Sequence, residues 1–561
     1  MKHAILLALC LITTACGERP TGEGAPPPAG PASVDLIVSN GRVLTLDADN
    51  RIASTLVVDD GRIVAVGDAS LTSAYTADTT VDLGGKTAMP GFVDSHIHIN
   101  AQPGHYIELG GTRSVAEIMQ LVTDKAAVVG PGNWITGYGW SEDELAEGRK
   151  PTRDDLDAAA PGHPVILTRA GGHSAVVSSA ALDLAGIDAT TPDPDGGIIE
   201  RDDAGRLNGI IRERQEIVGE LVPPTPRAEL RPDLQARLQA LFAKGITSII
   251  QAQDTIDNYP EWEAVYAGAR GRLPRAAVQL SYAGRDAMAA FGWKTGDGDE
   301  HLRVGAIKIF VDGGFTGPAA YTTKPYKGED EYRGKLNMSE DELSTLIRQA
   351  HEDGWQLGIH AIGDAAIQIA VQDLVETLEA SPRPDHRHYL NHFTIMPDDD
   401  TMRSMAEHGI AITQQPNFTY TLEGRYVANL DGERLETNNP LHTPMSFGIH
   451  LAISSDILPI GPTVGLYAAT TRKGMSGRVF GAGEKLTALE ALKAYTVKGA
   501  WLTREENEKG SLEPGRLADF VVLSADPLAM APDDLMDLAV LETWLGGEQV
   551  YSSTDTPKEG D

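Results

Sequence analysis

A chain of 561 residues, 41% hydrophobic and 23% charged, is long enough for a large domain with an accessory one and has an ordinary globular composition. Its formal net charge of -33 argues against a nucleic-acid partner, which needs clustered Lys and Arg. It argues equally against adhesion to an anionic membrane through a basic face.

The first residues read as an export signal. Lys2 and His3 precede the apolar run "AILLALCLI", and Thr13-Thr14-Ala15-Cys16 follows. A basic start, a short apolar core and small residues before a cleavage point make a secretory signal, too short for a stable membrane span. "TTAC" is similar to a bacterial lipobox with Thr13 where Leu is more usual, which predicts a signal peptide over 1–15 and a lipidated Cys16. A conventional cleaved signal with an incidental cysteine, or a buried N-terminal helix, is the alternative. Cys10 and Cys16 are the two cysteines of the chain, so the mature protein would hold no internal disulfide and would rely on its core. Residues 16–33, rich in Gly and Pro, read as a tether. The expectation is an exported lipoprotein, periplasmic or outer-membrane-associated, that touches a membrane only through its lipid.

Residues 34–88 carry short β-rich runs around Asn40-Gly41 and Asp60-Gly61, both strong hairpin signals because each turn residue needs φ > 0. Residues 506–552 behave alike, with "ADFVVLSADP" and then Gly546-Gly547 between two strand-like runs. Neither group could bury a core alone, which predicts one small β-domain assembled from both chain ends, followed by a polar tail over 553–561. Between them, over 89–505, helical patterns alternate with apolar strands. Ser339 and Glu342 have capping-box spacing in a helix ending at Gly354, the strand-like "WQLGIHAIG" follows, and helix and strand then alternate again. Repeating βα units of this kind predict a parallel sheet, and enough are present for a closed barrel. The stretch from about 130 to 224 is too long for one connection and reads as an insertion. The expected fold is α/β: a (β/α)8 TIM-like barrel with a small β-sandwich domain built from both chain ends and an insertion over the barrel mouth.

The chemistry-bearing residues fall at strand ends. In "MPGFVDSHIH", strand alternation turns Asp94, His96 and His98 to one face, so two imidazoles could grip one cation at the rim where barrel enzymes place their chemistry. Lys308 in "VGAIKIFVDGG" sits opposite Ile307, Ile309 and Val311, costly to bury unless paired or chemically altered. His360 ends "QLGIH", His392 lies in "YLNHF", and Asp456 ends "HLAISSD". Each alone has a bland reading: a hydrogen-bonded core histidine, an edge lysine, a turn aspartate. Their conjunction points to a metal site. His386-Arg387-His388 has the same His-x-His spacing but lies in a polar linker and reads as a solvated loop.

This series resembles the amidohydrolase superfamily, specifically the amidohydrolase-3 branch that includes N-substituted formamide deformylases. The resemblance runs from about Asp35 to Gln549 through "MPGFVDSHIH", "GHSAVVSSAAL", "GGIIERDDAGRLNGIIRE", "VGAIKIFVDGG", "HAIGDAAI", "SSD" and "EKGSLEPGRLADFVVL". It implies that His96 and His98 hold one divalent metal with Asp456, that His360 and His392 hold a second, and that Lys308 bridges both as a carbamate. Zinc suits such ligands best, with manganese, iron or nickel as alternatives. Asp456 would shuttle the proton of a metal-activated hydroxide that cuts a C–N bond of an amide, N-acyl or N-formyl amine. His173 matches a recurrent family position near the active site, with a loop histidine as the equal alternative. Where relatives often read Glu-His, this chain has Asn391-His392, and alternation predicts that Asn391 faces away from the metals. A lactonase, carboxylesterase or cyclic-amide hydrolase could use the same centre, and a lipoprotein that binds a ligand without turnover is the rival of another class. The expected partner is a small amide-like molecule, and a homo-oligomer is compatible with these features.

Overall fold

The computed structural model describes residues 31–554 apart from positions 143, 171, 270, 316 and 458. The expected signal peptide, Cys16 and most of the tether and polar tail lie outside the described residues. The centre of the molecule is an eight-stranded parallel sheet. Its strands in chain order are β1 (Phe92–Ile97), β2 (Ile246–Asp254), β3 (Arg275–Ser281), β4 (Leu302–Phe310), β5 (Leu357–Ala361), β6 (Tyr389–His392), β7 (Ala411–Gln414) and β8 (Leu451–Ile453), and they lie side by side in that order. Neighbours pair in parallel all the way round, and a parallel bridge between Ile97 and Asp456 joins the last strand to the first. This is the barrel expected from the alternating pattern.

Helices follow the strands because the intervening segments carry an apolar stripe that must be buried against the sheet. Glu340–Glu352 after β4 starts at the expected capping box, where Ser339 and Glu342 cap each other, and it stops before Gly354 at φ 88°. Asp364–Ala380 and Asp399–His408 follow β5 and β6. Strand residues such as Ile307 and Ile359 and helix residues such as Ile347, Leu374 and Met402 belong to one continuous buried core. Among the described residues no helix is long and apolar enough to cross a membrane.

Two further sheets pack together beside the barrel. The first has four strands in the order Arg62–Gly67, Thr55–Asp59, Ala32–Ser39, Tyr75–Asp82. The second has six, in the order Glu548–Ser552, Val540–Leu545, Phe520–Leu523, Thr87–Pro90, Arg42–Leu44, Ile52–Ala53. Phe520–Leu523 is hydrogen-bonded to Thr87–Pro90, so strands from both chain ends share one sheet. Leu36, Val38 and Leu56 of the first sheet and Val43, Phe520 and Trp544 of the second form one core, with Phe520 stacked on Trp544 at 5.3 Å. Asp60-Gly61 and Gly546-Gly547 close two-residue hairpins as expected. Asn40-Gly41 does not. The strands on either side of it enter different sheets, and the turn carries the chain from one layer to the other. A Cβ at position 41 would stand 2.4 Å from the Lys86 carbonyl oxygen, so that crossing needs glycine there for close approach, while the positive φ of the turn falls on Asn40 at 60°.

Between β1 and β2 a separate six-stranded sheet runs from Tyr106–Glu108 to Leu207–Arg212, and its first strand precedes the start expected near residue 130. It has a core on each face, as alternation along its strands requires: Val165, Leu167 and Val176 on one side, Ile166, Ala175 and Val177 on the other. Trp140 and Trp134 are buried in these two cores, whereas Tyr138 is exposed.

The β-sandwich is fastened to the barrel by a buried ion pair. Arg275, which opens β3, donates from Nε and Nη2 to the two Asp519 carboxylate oxygens at 2.6 and 3.0 Å. Removing one partner of such a pair leaves the other charged and unsolvated, a loss of about 3–5 kcal/mol. Asp519→Ala is therefore expected to lower the unfolding free energy from urea titration by that amount, with a lower midpoint, while Arg275→Met with Asp519→Leu recovers most of it; a wild-type midpoint in the single variant would refute the fastening role.

Candidate metal centre

The barrel brings six of the seven candidate residues together at the C-terminal ends of its strands. His96 and His98 come from β1 and its exit, Lys308 from β4, His360 from β5, His392 from β6 and Asp456 from the turn after β8. The His96 ring lies 5.4 Å from His98 and 4.8 Å from His392, and His392 lies 4.5 Å from His360, centroid to centroid. His96 Nε2 stands 3.4 Å from Lys308 Nζ, and His98 Nε2 stands 3.5 Å from Asp456 Oδ1. His96, His98 and Asp456 each offer a donor atom within 4.8 Å of the others. His98, Lys308, His360, His392 and Asp456 line a cavity of about 390 Å³. A larger groove of about 530 Å³, beside Tyr259, Trp293 and His301, holds none of these donors.

Hydrogen bonds fix which imidazole nitrogens face inward. His96 Nδ1 donates to Asn391 Oδ1 at 2.9 Å, which leaves Nε2 bare and turned to Lys308. His392 Nδ1 donates to Gln415 Oε1 at 2.8 Å. Partners of this kind hold a metal-binding histidine in one tautomer and one orientation. Burial keeps the rings neutral: it is the main cause holding His98 down to about 4 and His360 to about 3, and it holds His96 and His392 well below the usual imidazole range, with neighbouring positive charge adding to the effect. Burial also lowers the Lys308 amine and raises the Asp456 carboxyl, and each partner's charge works against the other's shift.

The residues fit a divalent cation on their own chemistry. His360 Nε2 and Asp456 Oδ1 are buried without a hydrogen-bond partner, an expensive state that a cation would relieve. Neutral imidazoles and a carboxylate are borderline-soft and hard donors suited to zinc and its neighbours.

Two expectations need correction, and one candidate stands apart from the cluster. Asn391 does not face away from the site. His392 has φ 79° and Phe393 φ 49°, so alternation breaks at the end of β6 and both Asn391 and His392 turn inward. His173 is exposed in the bend before the inserted-sheet strand Ser174–Val177, hydrogen-bonded to Glu213 at 3.0 Å, and is not among the residues lining the cavity. His386 and His388 are buried, not solvated. His388 Nε2 meets His351 Nδ1 at 2.8 Å, its Nδ1 accepts from the Leu357 amide, and His386 Nε2 donates to the His408 carbonyl.

The site also uses residues beyond the seven candidates. Asp312, two positions beyond Phe310, accepts backbone N–H groups of Tyr321, Ile362 and Gly363, and its Oδ1 lies 3.6 Å from His360 Nε2. It ties the end of β4 to the end of β5, and burial pushes its carboxyl up to about 7. Asp94, on the histidine face of β1, binds the Ser455 amide next to Asp456 at 3.1 Å. A carboxylate sharing the face of His-x-His was the available signal for Asp94, whereas Gln415 in "ITQQP" carries none.

The family model of amidohydrolases matches residues 79–551. The chain is 30% identical over 532 residues to the putative amidohydrolase YtcJ of Bacillus subtilis (strain 168), covering 92% of this chain and 99% of that protein. It is 30% identical over 544 residues to the N-substituted formamide deformylase of Arthrobacter pascens, covering 93% and 99%. A solved structure of an uncharacterized metal-dependent hydrolase from Pyrococcus furiosus, 28% identical, matches with a TM-score of 0.70 over 88% of this chain and 99% of that one. The chain belongs to the amidohydrolase family. It is a hydrolase of carbon–nitrogen bonds with a metal-binding centre on a barrel fold.

The Asn391 contact generates a direct test. Asn391→Ala frees the His96 ring and is expected to weaken metal binding by about 10–100-fold, measured by chelator competition. Unchanged affinity would show that the barrel alone orients His96.

Proposed function

We propose that this enzyme hydrolyses the amide bond of a small N-acyl or N-formyl amine. The observation that carries the reading is Lys308: a buried lysine among four imidazoles and Asp456, with its amine pushed towards the neutral form. The similarity to an N-substituted formamide deformylase supports the acyl-amine class. A neutral amine can attack carbon dioxide, forming an N–C bond and releasing a proton, and the resulting carbamate is a bidentate anion. His96, His98 and Asp456 would hold one divalent ion, His360 and His392 a second, with the Lys308 carbamate between them. When bound, such ions, zinc foremost, lower the pKa of water towards 7 and oppose charge developing on a carbonyl oxygen.

The remaining work falls to the protein. Asp456 takes a proton from the attacking water as its oxygen bonds the carbonyl carbon, then delivers a proton to the nitrogen as the C–N bond breaks, leaving a carboxylate and an amine. Burial raises the Asp456 carboxyl above its ordinary value, with the Lys308 charge opposing the shift. Asn391 and Gln415 keep the imidazoles fixed while this happens, so no reorientation is needed in the transition state. A binding protein without turnover would need neither the buried lysine nor the proton-carrying aspartate.

Protein reconstituted with zinc and bicarbonate is expected to carry up to two ions per chain. Lys308→Ala loses metal and turnover together, whereas Asp456→Asn keeps most of its metal and loses about 100-fold or more in kcat; near-normal turnover in the second variant removes Asp456 from proton transfer. The reading also places the enzyme outside the cytoplasm, tethered through Cys16. Cys16→Ala should then leave the membrane fraction, and unchanged fractionation would exclude the lipid anchor.

A further inference from the structure

We infer that the catalytic cavity selects uncharged substrates with a bulky apolar, best aromatic, substituent and rejects those carrying a carboxylate beside the scissile bond. The inference rests on the amide-hydrolase reading and adds what that reading leaves open, the chemistry of the group attached to the amide. Besides the metal-binding residues the cavity is lined by Phe315, Ile362, Phe418, Leu422 and Tyr426, and by Phe310, whose ring lies against Lys308 and His360.

This wall presents carbon because its polar atoms are used elsewhere. The Tyr426 hydroxyl accepts from Asn439 Nδ2 at 3.0 Å, and both residues are buried. The Tyr326 hydroxyl behind Phe315 donates to the Ala320 carbonyl at 2.7 Å. Phe315 packs 5.0 Å from Tyr426 and 5.9 Å from Tyr326, and these residues share a core with Phe418, Leu430 and Phe480. The wall is therefore the face of a packed cluster, shaped before substrate arrives.

Among the described residues no cation away from the metal ligands is available for a substrate carboxylate. Among the described residues, Lys308 is the one lysine or arginine that lines the cavity, and it belongs to the ligand cluster. Arg472 lies behind the wall, fully buried, and its guanidinium is spent on the Phe480, Asn438 and Asn439 carbonyls and on Thr419 Oγ1. The other polar groups at the cavity, Asn100 and Thr394, are neutral. A carboxylate seated against the wall would lose its hydration with no counter-charge, which selects against it strongly. The net charge of -33 adds an unfavourable long-range field for anions.

A matched pair tests this: N-acetylphenethylamine and N-acetylphenylalanine differ only by a carboxylate. Zinc-loaded enzyme is expected to favour the neutral member in kcat/KM by about 100-fold or more. Phe418→Ala should cut kcat/KM for N-acetylphenethylamine by about 10–100-fold, more than it cuts kcat/KM for N-ethylacetamide, and Leu422→Arg should narrow the preference for the neutral member at least about tenfold. Equal or better turnover of N-acetylphenylalanine overturns the inference and leaves the amide reading intact. If no amide is turned over, the amide reading fails, and calorimetry with the methanesulfonamides of phenethylamine and phenylalanine decides the inference alone. Tighter binding of the neutral sulfonamide upholds it, and equal or tighter binding of the acid overturns it.

Discussion

The seam between β8 and β1 is the constraint on which the active site depends. β8 is three residues long, and one parallel bridge, Ile97 to Asp456, joins it to β1. Side chains do the rest of the closing. Asp94 accepts from the Ser455 amide and hydroxyl, and Ser95 Oγ donates to the Ile453 carbonyl at 2.8 Å. The Asp456 amide then donates to the His96 carbonyl at 2.9 Å. The contacts that shut the barrel are thus the same contacts that set Asp456 beside His96 and His98, although these residues stand near opposite ends of the chain. Asp94 is buried, and burial pushes its carboxyl up to about 7, so the seam holds a carboxylate whose ionised form depends on Ser455.

Much of this was legible in the sequence. The alternating pattern led to the barrel, and strand periodicity brought His96 and His98 to one face and Lys308 away from Ile307 and Ile309. What periodicity could not show was where a strand stops being regular. At the end of β6 the positive φ of His392 turns two successive side chains inward, and that conformation leaves no compositional mark. The Asn40-Gly41 turn was correctly read as a turn but not as a crossing between layers, because a dipeptide reports local backbone freedom and not which sheet receives the next strand. The inserted sheet starts with the strand Tyr106–Glu108 and the helix Val115–Val129, ahead of the start expected near residue 130, because a strand followed by a helix has the same local pattern as the barrel's own units.

The two His-x-His pairs show why spacing alone decides little. His96 and His98 sit at the C-terminal end of β1, where the rim collects ligands from several strands. His386 and His388 precede β6 at the opposite end, where they bind His351, a backbone carbonyl and a backbone amide. The same motif thus does chemistry at one end of the barrel and fastens helices and strands at the other, in keeping with the division of labour between the two ends of such folds. Burial depresses the proton affinity of both sets, so burial by itself did not distinguish them; the identity of the hydrogen-bond partners did.

The sandwich assembled from both chain ends has a consequence for synthesis. Thr87–Pro90 has a free edge until Phe520–Leu523 leaves the ribosome, because nothing else supplies that neighbour. Through nearly the whole of translation the early strands present unpaired backbone and the apolar surface of Val43 and Ala88, the kind of edge that invites association with other chains. Pairing across so large a sequence separation is also slow. The last step of folding is therefore expected to be the docking of the chain's end onto its beginning, and a nascent chain arrested before that point would be the species most in need of a chaperone.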